Sequence, residues 1–298
     1  MEYPPNSGIN RRTALKGLAA TAGAATFCTA GAAAQETSLY RAKNGKIRQS
    51  VVPWCFKPMS VVELAKHSAT LGLQSVELCS PNDWPKLKEL GLTCAIAGSH
   101  GFAKGFAHPE EQPECVEKLR ASIDASAAFG CPNVITFSGF ARGLTKEQGL
   151  RNMVEGFKKI VGYAEEKKIT LCLEMLNSRV NVEMKGHPDY LADDIDYAVE
   201  VCKQVGSERM KVLFDIYHVQ IMNGDVITRI KQHAPYIGHV HTAGNPGRAE
   251  IDDTQEINYA PIMRTLVEVG YQGFVGQEFI PKREPIASLS QAVQICDV

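Results

Sequence analysis

The chain has 298 residues, 44% of them hydrophobic, and a formal net charge of −1. That length suffices for one large core, since α/β barrels of about 250 residues fold as a single domain. Its basic residues are scattered rather than gathered into a stripe, which argues against nucleic acid or another polyanion as partner.

Residues 1–34 read as a leader rather than as part of the fold. Asn10-Arg11-Arg12-Thr13-Ala14-Leu15-Lys16 is followed by a weakly apolar run from Gly17 to Ala30 and by Ala32-Ala33-Ala34. A charged region, an apolar region and a small-residue cleavage site in that order resemble a twin-arginine export signal. Cleavage after Ala34 and a periplasmic destination are expected, with a cytoplasmic location if the signal is not used. The run is too short and too weakly apolar for a membrane span, which needs about 20 apolar residues. Nine cysteines first suggest a disulfide framework, but Cys55, Cys79, Cys94 and Cys172 fall inside apolar runs, where Cys behaves as a small hydrophobe.

Residues 35–46 read as a polar linker. From residue 47 onward short Val/Ile/Leu-rich runs alternate with longer segments of helical period. Strands are predicted at Ile47–Cys55, Gln74–Cys79, Thr93–Ala97, Asn133–Phe137, Thr170–Met175, Lys211–Asp215, Ile237–His241 and Gly273–Phe279. Helices are predicted at Val61–Leu71, Pro113–Phe129, Thr145–Lys167, Pro188–Val205 and Pro261–Val269, with Ser60 and Glu63 forming a capping box at the first. Four of them stop at glycine before the next strand, at Gly72, Gly130, Gly206 and Gly270. Eight strands alternating with helices imply a parallel sheet closed into a single (β/α)8 TIM barrel over residues 47–298.

Active sites of such barrels lie at the C-terminal ends of the strands. The last four predicted strands end in Glu174, Asp215, His241 and Glu278. Buried carboxylates cost several kcal/mol each unless paired or metal-bound, and a divalent cation relieves the repulsion among three of them. The set suits Mg²⁺ or Mn²⁺, and Co²⁺ or Zn²⁺ can also occupy it. His218 follows Asp215 by three residues and either meets a substrate oxygen or caps a helix. Arg248, ending the rigid Asn245-Pro246-Gly247-Arg248 loop, suits a substrate carboxylate or else is a solvated loop cation. Asn177 either orients Glu174 or touches substrate. Glu77 either enters the pocket or pairs with a cation inside the barrel. His239 reads as a supporting residue, and Trp54 and His100 as pocket wall. His67, His108, His187 and His233 read as surface residues.

The segments Leu173-Glu174-Met175-Leu176-Asn177-Ser178, Phe214-Asp215-Ile216-Tyr217-His218-Val219-Gln220, Gly238-His239-Val240-His241-Thr242-Ala243-Gly244-Asn245-Pro246-Gly247-Arg248, Glu256-Ile257-Asn258-Tyr259 and Gly270-Tyr271-Gln272-Gly273 resemble the hydroxypyruvate isomerase family. That family sits in the xylose-isomerase-like barrel group beside the ketose 3-epimerases. The likeness is dense over residues 170–281. It implies that Glu174, Asp215, His241 and Glu278 bind the metal, that Glu174 and Glu278 also move the proton, and that His218 and Arg248 contact substrate; from their positions alone, Asn177 and Glu77 are counted as further substrate-binding candidates. The reaction it implies is isomerisation of an α-hydroxycarbonyl compound through an enediolate, hydroxypyruvate giving tartronate semialdehyde. A ketose or 3-keto-sugar epimerase with the same metal site is the alternative, and a non-catalytic exported sugar-binding protein is the alternative from another class. The expected partner is a small hydroxy-keto acid or ketose, and a homo-oligomer is compatible with the sequence.

Overall fold

A computed structural model describes residues 38–298. The expected export leader lies outside the described residues. Eight parallel strands form one curled sheet: β1 (Arg48–Val51), β2 (Ser75–Val76), β3 (Ile96–Ala97), β4 (Asn133–Thr136), β5 (Thr170–Glu174), β6 (Met210–Asp215), β7 (Ile237–Thr242) and β8 (Phe274–Gln277). Their order is β2-β1-β8-β7-β6-β5-β4-β3. The ends of that row meet through a Ser75–Thr93 bridge and the bonds Val76 N–H to Thr93 O (3.2 Å) and Leu78 N–H to Ile96 O (3.0 Å). The chain thus folds as a TIM-barrel-like α/β structure, as the alternation of apolar runs and helical segments implies.

Every predicted strand is present, several of them shorter than expected. The first stops at Val51 because Pro53, which lacks an N–H for the ladder, opens a short 3₁₀ turn over Pro53–Phe56. The predicted glycine stops hold, with Gly72, Gly130, Gly206 and Gly270 all at positive φ (81°, 92°, 77° and 75°), where a side chain would strain the backbone. Ser60 Oγ accepts from the Glu63 N–H at 3.2 Å, while the full reciprocal box forms at Thr145 and Gln148.

Three expectations need correction. The segment predicted as one helix over Thr145–Lys167 is two, Lys146–Lys158 and Val161–Lys167. The chain tightens between them, Lys159 and Ile160 donating to Gly156 and Phe157 three residues back. The helix predicted from Pro188 begins at Ile195, capped by Asp194, because residues 188–194 bend across the barrel mouth and bury Tyr190 and Leu191. Residues 40–44, expected within a linker, are tied down. Tyr40 Oη and the Lys43 N–H both donate to Asp297 Oδ2 (2.8 and 2.6 Å), and Ala42 N–H donates to Leu71 O (2.9 Å). The described cysteines are all buried free thiols, and no helix among the described residues is long and apolar enough to cross a membrane.

Strand alternation puts residues i and i+2 on one face. Cys172 and Glu174 therefore share a face of β5, Leu213 and Asp215 of β6, and His239 and His241 of β7. Register completes the alignment, pairing Asp215 with His241 and His241 with Gly276.

Candidate active site

Glu174 is the last residue of β5, Asp215 the last of β6, His241 the last but one of β7, and Glu278 directly follows β8. One ligand atom from each lies within 4.8 Å of all the others, and all four residues are buried. The four residues read from the strand ends are brought together.

Asp215 divides its two oxygens between structure and site. Oδ1 caps the helix Ile216–Met222, accepting from the Tyr217 and His218 N–H groups at 2.8 and 3.2 Å. Oδ2 is buried without a hydrogen-bond partner. His241 is divided in the same way: Nε2 bonds Glu77 Oε1 at 2.7 Å, and Nδ1 faces Glu278 Oε2 (3.1 Å) and Glu174 Oε1 (3.8 Å). Glu278 is held on both oxygens, Oε1 by Trp54 Nε1 at 3.2 Å and Oε2 by Arg248 Nη2 at 2.6 Å. Glu174 makes only the long approach to His241 through its carboxylate.

The surroundings drive these groups apart. Burial and the nearby Glu278 charge raise Glu174 above the ordinary carboxyl range. Burial acts on Glu278 too, but Arg248 and His241 outweigh it and hold that carboxyl well below its usual value. Burial pushes Asp215 up to about 7 against the pull of Arg248. Burial would lower His241, yet Glu278, Glu174 and Glu77 around it carry it well above an ordinary imidazole. The field at this point favours positive charge.

In the state that ligates a metal, with the three carboxylates ionised and His241 neutral, one guanidinium leaves two negative charges, which one divalent cation balances. The unpartnered Asp215 Oδ2, the inward-facing His241 Nδ1 and the three-oxygen, one-nitrogen donor set fit such an ion.

Arg248 is 4% exposed, not a solvated loop cation. Besides Glu278 it donates from Nη1 to Met184 O at 2.9 Å, lies 3.7 Å from Asp215 Oδ2, and sits over the Trp54 ring at 5.1 Å. His218 is fully buried. Its Nδ1 accepts from the Asn177 N–H at 3.0 Å, which places the proton on Nε2, 3.7 Å from Asp215 Oδ2. The Asn177 side chain braces its loop against His218, Nδ2 donating to Lys185 O at 2.9 Å and lying 2.6 Å from His218 Nδ1, and Oδ1 accepting from Val180 N–H at 3.0 Å. Glu77 lies behind the site, not in the cavity wall, and accepts from His239 and His241 on a single oxygen.

A cavity of about 340 Å³ opens onto this cluster, with Trp54, Glu174, His187, Arg248 and Glu278 in its wall. His187, read from the sequence as a surface residue, stands in that wall with its ring 4.4 Å from Phe102. His108 and His233, also read as surface residues, are buried, against Phe140 O and Asp196 respectively. No local pattern marks His187 as part of the site. It comes from the long loop after β5, whose path is set by tertiary packing.

Fold and site together define an α/β-barrel enzyme with a buried carboxylate–histidine cluster as its candidate metal site. Residues 66–295 match the family model described as xylose isomerase-like TIM barrel, and the chain belongs to that family. A mouse protein carrying the provisional name hydroxypyruvate isomerase is 27% identical over 257 residues, covering 85% of this chain and 86% of that protein. The 2-oxo-tetronate isomerase of Cupriavidus necator is 27% identical over 217 residues, covering 72% and 75%. Among solved structures, one titled AP endonuclease, family 2, from Brucella melitensis superposes with a TM-score of 0.71 at 26% identity, covering 82% of this chain and 98% of that one. The 3-keto-D-glucoside 4-epimerase of E. coli superposes with a TM-score of 0.69 at 16% identity, covering 83% and 97%, and shares the fold. The chain is an isomerase-type enzyme, similar to the hydroxypyruvate isomerases.

Proposed function

We propose that the chain is a divalent-metal-dependent isomerase of small α-hydroxycarbonyl compounds, with hydroxypyruvate to tartronate semialdehyde as its simplest reaction. The observation that carries this reading is the buried cluster Glu174, Asp215, His241 and Glu278, which with its carboxylates ionised is two positive charges short of neutrality even beside Arg248. A divalent cation on these four residues supplies Lewis-acid polarisation of the substrate carbonyl.

The chain's own groups do the rest. Glu174 has carboxylate oxygens free of hydrogen-bond donors and stands in the cavity wall, so it is the residue placed to move a proton. It takes a proton from the hydroxyl-bearing carbon and, after its carboxyl has exchanged with solvent, delivers a proton to the neighbouring carbonyl carbon, through an enediolate. One C–H bond breaks and another forms, the hydroxyl proton passes to the former carbonyl oxygen, and no oxidant is required. Glu278, clamped by Trp54 and Arg248, keeps its charge and position. His218 offers its Nε2 proton beside Asp215, within reach of a substrate oxygen lying there.

The alternative in which the same cluster serves a ketose epimerase differs in substrate, and a substrate panel separates the two. An endonuclease activity, for which the Brucella structure is named, is disfavoured for this chain. The cluster here includes a single histidine, and the chain's charge is near neutral without a basic stripe. The leader reading remains a proposal: changing Arg11 and Arg12 to lysine should retain the protein in the cytoplasm, and unaltered periplasmic recovery would remove the twin-arginine assignment. For the reaction, the test is Mn²⁺-supplemented incubation with hydroxypyruvate in deuterated water. Deuterium at the carbon bearing the hydroxyl supports the reading; no exchange with any small α-hydroxycarbonyl compound refutes it.

A further inference from the structure

The cavity has two unlike halves. The strands β5 to β8, adjacent in the barrel, contribute Glu174, Arg248 and Glu278, directly or through the loops that follow them. The strands β2, β3 and β4 and their loops contribute Leu78, Phe102, Ile135 and Phe137. Leu176 and Met184, from the chain after β5, extend the apolar side.

The side-chain polar atoms at the apolar half, His187 excepted, are already spent within the protein. Ser99 Oγ donates to Ile135 O. His100 Nε2 bonds Thr136 Oγ1 at 2.9 Å, and its Nδ1 bonds Lys104 O at 3.1 Å. His187 alone offers ring nitrogens toward this space without a hydrogen bond of its own among the described residues. A sugar chain placed here would bury several hydroxyls with few partners, and a buried hydroxyl without a partner is costly. At about 340 Å³ the cavity stands at the small end of ligand sites, roughly 300–1,000 Å³, and exceeds what a three-carbon acid fills.

We propose that the substrate this site is built for carries an apolar alkyl or aryl substituent beyond its α-hydroxycarbonyl unit, seated against Leu78, Phe102, Ile135 and Phe137. The inference rests on the isomerase reading for the reacting end and on the cavity wall for the other end. Hydroxypyruvate reaches only the charged half. The apolar half excludes water from the reacting carbons and selects by hydrophobic burial, not by reading hydroxyl groups.

The test is calorimetric binding of unreactive 2-hydroxy acids to the full chain loaded with Mn²⁺, using lactate, 2-hydroxyhexanoate and gluconate, the last two of equal carbon number. The expected result is that 2-hydroxyhexanoate binds tighter than lactate by about tenfold or more, the scale that burying two or three methylenes supplies, while gluconate binds no tighter than lactate. Phe102 is 41% exposed, so Phe102→Ser should fold, and it should shrink the hexanoate-to-lactate ratio several-fold. Gluconate binding as tightly as 2-hydroxyhexanoate, or a ratio near unity in the unaltered protein, overturns the proposal. Binding needs no turnover, so a failure of the reaction class appears only in the deuterium experiment and a failure of the apolar subsite only here.

Discussion

Glu77 Oε1 lies 2.7 Å from His241 Nε2, although 164 residues separate the two along the chain. That contact holds the His241 ring with Nδ1 toward the three site carboxylates. Partners of this kind are worth about 10–100-fold in metal affinity or activity. Glu77→Gln should therefore weaken Mn²⁺ binding by about 10-fold or more in calorimetry, with the circular dichroism spectrum unchanged. Unchanged affinity would reduce Glu77 to a packing role.

The same carboxylate makes a statement about acid stability. Burial raises Glu77, but the facing His239 and His241 outweigh it and hold the group at about 2, below its ordinary 4.5. A carboxyl depressed in the folded state contributes stability above its unfolded value, and that contribution disappears as pH falls through the folded value. Urea midpoints should therefore drop more steeply between pH 4.5 and 2 for the unaltered chain than for Glu77→Gln. Parallel curves would show that Glu77 carries no such linkage.

Gly276 is required by close approach. A Cβ there would come within 2.9 Å of Glu77 Cδ and of His241 Cδ2, and closer still to Glu77 Oε1. All three residues are in the packed barrel interior, so Gly276→Ala should cost about 1–3 kcal/mol of stability and weaken Mn²⁺ binding together with it. Stability lost without metal affinity would mean that the Glu77–His241 pair tolerates the shift.

The charge imbalance predicts that metal stabilises the unaltered chain far more than an Asp215 variant. Asp215→Asn keeps an Oδ1 acceptor for the helix N-terminus and removes one buried negative charge. In chelator, thermal unfolding of this variant should occur at or above the temperature of the unaltered chain. With Mn²⁺ at about 100 times its Kd, the unaltered chain should gain about 2.7 kcal/mol and the variant little. Equal metal stabilisation of both would remove Asp215 from the ligand set.

His187 stands in the cavity wall, and burial with the Arg248 charge pushes its imidazole down to about 4. It is neutral across the working range and carries no proton load near 6.5, the ordinary value. His187→Gln should change KM while leaving the apparent pKa values of kcat/KM where they are. A displaced limb would make His187 a proton carrier.

What could be read ahead of the structure is what local chemistry writes into the chain. Apolar runs ending in Glu174, Asp215, His241 and Glu278 place chemistry at one end of the barrel, and glycines such as Gly130 and Gly206 stop helices where a positive φ is needed. The remaining features depend on distant packing. Glu77 faces His241 only because β2 and β7 share the barrel interior. Tyr190 and Leu191 turn a helical-looking stretch into a strap by finding buried places across the mouth. His187 enters the wall on that strap, and Arg248 trades solvent for Glu278 and Met184 O. None of these follows from spacing along the sequence.

The central claim is that Glu174, the carboxylate without a donor on its oxygens, moves the proton. It is tested by following deuterium uptake from solvent into hydroxypyruvate with Mn²⁺ present, for the unaltered chain and for Glu174→Gln at matched metal occupancy. The prediction is uptake at the hydroxyl-bearing carbon by the unaltered chain and a loss of about 10²–10⁴-fold in the variant, with unfolding temperature retained. Uptake by Glu174→Gln at near the unaltered rate would contradict it.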